Sequence, residues 1–161
     1  MVRFFKKLIK NLEKFFSSFP HIPQKTLKIF LPIIPWYLFL KGLISIINGL
    51  RSLSGSFQFG SLPRIFSKLM DINPVFLFWN GILLLFIGFL YMSAFTGLAQ
   101  KKTQYAGWQN WFQAAVLISI IRLSQIVFQQ TQVLWLIFVT FLSWYLIFEF
   151  KKLYDSPKPK K

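Results

Sequence analysis

Apolar residues in this chain come in long unbroken runs, with the charges pushed to their ends. From Ile72 to Gln100, from Thr103 to Ile121 and from Leu123 to Phe148 there is no Asp, Glu, Lys or Arg. A helix that crosses a membrane needs roughly 20 mostly apolar residues, because the hydrocarbon core is about 30 Å thick and each residue adds about 1.5 Å. The pattern predicts spans at about 74–98, 107–128 and 132–150. Trp108 and Trp111 open the middle one, as an interfacial aromatic belt does. Only the polar tetrad Gln129, Gln130, Thr131, Gln132 separates the last two spans, so they are expected to lie antiparallel and side by side. An earlier block at about 29–50 is weaker, because Lys41 interrupts it and Pro32 and Pro35 weaken its start.

Two shorter segments alternate differently. From Val2 to Phe16, Phe4, Phe5, Leu8, Ile9, Leu12, Phe15 and Phe16 recur at three- and four-residue steps between Lys6, Lys7, Lys10 and Lys14. This pattern predicts a basic amphipathic helix in the headgroup plane. Its basic residues serve either to attract anionic lipid, at about 1 kcal/mol each, or simply to anchor the topology. A cleavable signal peptide does not fit, as no uninterrupted apolar stretch follows the charges; a transit peptide fits better, since Glu13 is the only acid before Asp71. From Leu62 to Met70, Pro63 opens a segment with Arg64 and Lys68 opposite Ile65, Phe66 and Leu69, which predicts a short interfacial helix.

Charge then decides the topology. With four spans and the N-terminus in the cytoplasm, that side receives Arg3, Lys6, Lys7, Lys10, Lys14, Lys25, Lys28, Lys101, Lys102, Lys151, Lys152, Lys158, Lys160 and Lys161. The outside receives only Arg51, Arg64 and Lys68. If the first block did not cross, the N-terminus and the lysine-rich tail would face opposite sides, against the positive-inside bias. The expected organisation is all-α. Residues 1–28 form the interfacial helix and linker, 29–150 a four-helix transmembrane bundle with both termini cytoplasmic, and 151–161 a basic disordered tail. The membrane is a bacterial inner membrane or an organellar equivalent.

Composition supports this and narrows the chemistry. The 161 residues are 55% hydrophobic and 14% charged, where soluble domains carry about 25% charged residues. The net charge of +15 raises nucleic-acid binding, but the basic residues gather at the ends of apolar blocks, and no nucleic-acid partner is expected. Cysteine is absent and His21 is the single histidine, so neither a metal site nor a cofactor is expected. No paired carboxylates, nucleophile with its base, or phosphate-cradling glycine loop appears, and the chain reads as a non-enzyme. His21, in the Pro20–Pro23 linker, reads as a solvated interfacial residue.

Two further patterns concern the spans. Laid over Pro74–Phe89, the segment Pro35–Leu50 aligns Pro35 with Pro74, Leu38 with Leu77, Phe39 with Phe78, Gly42 with Gly81 and Gly49 with Gly88. The match reads either as a duplication with a site at an inverted interface or as ordinary small-residue packing. In both cases glycines seven apart share a helix face and admit a neighbouring backbone. Polar residues within the spans form a candidate seam: Lys41, Ser45 and Asn48 on the first, Asn80 on the second, Ser119, Arg122 and Gln125 on the third, Thr140 and Ser143 on the fourth. Helical rise sets Asn80, Arg122 and Lys41 in the same outer half of the membrane. Facing inward, Lys41 and Arg122 would make an anion or lipid-headgroup site, with Asp71 the only acid near them; facing outward, they would snorkel. The first reading is an accessory or scaffold subunit that packs against other membrane subunits or itself. The alternative is a lipid- or anion-binding protein or transport component that uses Lys41 and Arg122.

Overall fold

A computed structural model describes residues 2–60, 74–100, 103–129 and 133–154. All of their regular structure is helical: α1 (Val2–Phe16), α2 (Gln24–Phe30), α3 (Ile33–Gly60), α4 (Pro74–Ala99), α5 (Gln104–Gln129) and α6 (Val133–Tyr154). The short helix expected at Leu62–Met70, the acid Asp71 and residues 130–132 lie outside the described residues.

Proline divides the first apolar block differently from the expected 29–50 span. At the end of α2 the Leu31 N–H still reaches the Leu27 carbonyl at 3.2 Å. Pro32 has no N–H to continue the ladder, and the chain restarts as α3 at Ile33. Pro35 is harmless in the first turn of α3, where N–H groups have no intrahelical partner anyway. From there the helix runs on past Leu50 to Gly60, 28 residues in all. At the other end of the chain, α6 carries Lys151 and Lys152 in its last turn, so residues 151–154 are helix rather than tail. The lysines are held there by carboxylates: Lys151 Nζ lies 2.9 Å from Glu13 Oε1 and Lys152 Nζ 2.8 Å from Glu149 Oε1.

Helices α3, α4 and α6 are long and apolar enough to cross a membrane. They also expose large apolar side chains, among them Trp36, Leu40, Trp79, Phe86, Leu134 and Phe138, as lipid-facing helices do. Helix α5 equals α4 at 26 residues but is diluted by Gln109, Asn110, Gln113, Ser119, Arg122 and Gln125.

Glycines set the α3–α4 contact. A Cβ on Gly42 would lie 3.1 Å from the Gly88 carbonyl oxygen, and one on Gly49 3.0 Å from that of Gly81. The two helices thus run antiparallel with their backbones touching at two points, an approach only glycine permits. The α4–α5 turn makes a third: a Cβ on Gly97 would fall 2.6 Å from Gly107 Cα, and Thr103 Oγ1 donates to the Gly97 carbonyl at 3.0 Å. Helices α5 and α6 are joined by side chains instead. Trp108 Nε1 donates to the Ile147 carbonyl, Trp144 Nε1 to Ser119 Oγ and Arg122 Nη1 to Thr140 Oγ1, each at 2.9 Å. The core is aromatic, with fully buried Trp108 stacked on Phe112 and Trp144 standing edge-on to Phe112. Helix α1 docks here by Phe16, which is buried against Phe141 and Phe148.

Candidate functional site

The first turns of α3 and α5 and the last turns of α4 and α6 share one end of the bundle, and α2 lies across that end against α6. Between them is a cavity of about 490 Å³. Most of its wall is apolar: Leu27 and Phe30 from α2, Ile33 and Ile34 from α3, Trp111 and Ile118 from α5, Ile147 and Phe150 from α6. Lys41 and Arg122 both line it, accompanied by the hydroxyl-bearing Tyr37, Tyr91, Ser119 and Ser143.

The two cations are staggered. Gly42 meets Gly88 and Gly97 meets Gly107, which brings Lys41 level with the neighbourhood of Ala115 on α5. Arg122 lies two turns further along, about 10 Å deeper from the α2 end. The Lys41 ammonium rests 5.6 Å from the centre of the Tyr37 ring, within cation–π range. Arg122 spends one donor on Thr140, and among the described residues neither cation makes an ion pair. Among the described residues, no carboxylate lines the cavity. A mostly apolar chamber with two fixed positive charges at increasing depth can hold an amphiphilic anion: the charges meet the anion, and the apolar wall near α2 meets its chain.

The rest of the expected seam disperses. Ser45 is buried on the α3 stripe that carries Gly42 and Gly49, while Asn48 is exposed. Asn80 adjoins Gly81 and is therefore level with Gly49, about 12 Å along the helix axis from Lys41 rather than beside it. None of these three lines the cavity, because helical spacing gives a face but not which neighbour covers it. The side chain of Gln125 lies outside the described residues. On α1, Lys7, Lys10 and Lys14 are exposed, with Leu8, Ile9 and Leu12 half-buried along the opposite stripe; Lys6 belongs to the same helix.

His21 departs most from expectation. Its ring is half exposed, yet Nδ1 sits 2.9 Å from Oε1 of the buried Glu149. Glu149 Oε2 also accepts the Ile22 backbone N–H at 3.0 Å. The partners are 128 residues apart in the chain, so no local pattern announces the contact. Tyr37 was more accessible to sequence reasoning, since it precedes Lys41 by one helical turn. The α2 contribution had no such signal.

An all-helical chain with three helices of membrane-crossing length and apolarity has the make-up of an integral membrane protein. Comparison with protein-family models, with curated proteins and with solved structures gives no match to this chain.

Proposed function

We propose that the protein is a four-span membrane protein that binds a single-chain anionic amphiphile, rather than a catalyst. The fourth span is α5. It packs lengthwise on α4 through Gly97–Gly107 and the Asn110–Ser93 hydrogen bond, and on α6 from Trp108 to Arg122. A helix flanked on both sides by crossing helices shares their slab. Its polar side chains are tolerable there because several of them, Asn110, Ser119 and Arg122 among them, find partners on the flanking helices. The basic flanks favour both termini in the cytoplasm, and the exposed lysines of α1 suit an anionic membrane surface.

The observation that carries the binding role is that Lys41 and Arg122 line one cavity, with no carboxylate among the described residues that line it. The volume lies within the roughly 300–1,000 Å³ range of pockets that enclose small organic molecules, which suits one chain and one head rather than a two-chain lipid. The head would sit between Lys41 and Arg122 and the chain beneath α2, among Ile33, Ile34 and Phe150.

Native mass spectrometry of the purified wild type, Lys41→Met, Arg122→Met and the double variant tests this. The wild type is expected to retain a single-chain anion. Each single variant should lose most of it, and the double should lose little more, because two cations on one anion share a partner. Identical profiles in all four, with stability equal or higher in the variants, would reject the reading and leave an accessory or scaffold subunit, to be sought through co-purifying membrane proteins.

A further inference from the structure

We infer that α2 is a lid over the apolar end of the cavity and that Glu149 is its latch. The inference rests on the amphiphile reading for its purpose, though not for its test. Ile22, Thr26, Leu27 and Phe30 form the cavity wall on this side. The seven-residue helix that carries most of them is bounded by Pro20 and Pro23 before it and Pro32 after it. Proline removes a backbone donor at each boundary, so α2 is connected to α1 and α3 by breaks in the helical ladder and can swing as a unit.

Leu27 anchors it in the core, and the rest of its fastening is polar and concentrated in the linker before it. Glu149 accepts the Ile22 N–H, Lys152 Nζ lies 2.8 Å from Glu149 Oε1, and His21 Nδ1 sits between the two, 2.9 Å from Glu149 Oε1 and 2.8 Å from Lys152 Nζ, donating to the first or accepting from the second according to its tautomer. One turn earlier on α6, the Tyr145 hydroxyl donates to the Pro20 carbonyl. Tyr145, Glu149 and Lys152 follow the four- and three-residue steps of a single helix face. The contrast with α1 is informative, because α1 is fixed on the same helix by buried aromatic rings, the fastening of a permanent contact. Hydrogen bonds near a membrane surface exchange for water at small net cost, and a carboxylate that grips a linker by such bonds can let it go. Above the cavity, Leu27 is buried in the core while Ile29 and Phe30 are largely exposed, so releasing α2 uncovers the chamber and withdraws only Leu27 of that helix from the core.

The chain has no cysteine, so a single Ser143→Cys substitution places one reporter thiol on the cavity wall. The experiment measures its reaction with a small anionic methanethiosulfonate in the purified full-length protein, alone and combined with Glu149→Gln or His21→Ala. Glu149→Gln should speed labelling about tenfold, the scale of one lost charge-assisted contact, with an unchanged helical circular dichroism spectrum. His21→Ala should give a smaller rise. Equal rates in all three proteins would make α2 a fixed wall and overturn the lid; if Glu149→Gln fails to fold, an unchanged rate in His21→Ala does the same. Faster labelling in a protein that retains no anionic amphiphile would support the lid and reject the ligand, so the two readings fail separately.

Discussion

At the scale of single residues, glycine carries the α3–α4 contact, and the glycines are not equivalent. A Cβ on Gly88 would come within 2.5 Å of Ile46 Cγ1 and 3.0 Å of the Gly42 carbonyl oxygen, whereas one on Gly55 would find, among the described residues, only Leu77 Cδ1 at 3.7 Å. Ile46 can shift; a backbone carbonyl in a packed helix can do so only by moving the helix. Gly88→Ala is therefore expected to cost about 1–3 kcal/mol of packing, or several degrees in Tm at about 2–4 °C per kcal/mol. Gly55→Ala should leave Tm unchanged or raise it, since alanine is worth about 1 kcal/mol over glycine inside a helix. Thermal unfolding in one detergent compares the two, and equal melting temperatures for Gly88→Ala and wild type would remove the packing role. The sequence made the seven-residue glycine spacing visible on both helices. It could not show that each glycine meets a glycine, because partner and register belong to the pair.

At the scale of elements, α5 is the test of the architecture. It is the most polar of the long helices and also supplies Trp108, Phe112 and Ala114 to the deepest core. If it crosses, cysteines at Gln100 and Gln130 face opposite sides of the membrane: in sealed vesicles an impermeant maleimide should reach position 130 from outside and position 100 only from the cytoplasmic face. Labelling of both from one side would reduce the protein to three spans. Helix existence was legible because apolar runs and their charged flanks are local facts. The break at Pro32 was half legible: the proline was visible, but its separation of a lid from a span depends on what α2 packs against. The extension of α3 to Gly60 was hidden by Arg51, a charge that reads as an end when helices are judged by apolarity. For the site, Lys41 and Arg122 stood out as expensive charges in apolar runs. The Glu149 grip on His21 and Ile22 arises only from folding the first and last helices together.

At the scale of the whole molecule, the contacts of α3 and α4 have an order that the aligned segments Pro35–Leu50 and Pro74–Phe89 make plain. Gly42 corresponds to Gly81 and Gly49 to Gly88, while in space Gly42 meets Gly88 and Gly49 meets Gly81. A half-turn that exchanges the two helices therefore turns one contact into the other. The cavity ignores this order, since Lys41 lines it and the corresponding Asn80 does not. An interface that maps onto itself in this way is one that two unconnected copies of a single helix can form, and here the two are merely strung on the same thread. Recognition then rests on the glycine contacts: the gene expressed as two fragments, 1–66 and 67–161, should yield halves that find each other in the membrane and co-purify through a tag on either one. Replacing both Gly42 and Gly88 by leucine should abolish that reunion. Halves that never associate, each stable alone, would show that the covalent thread and not the half-turn match holds the pair.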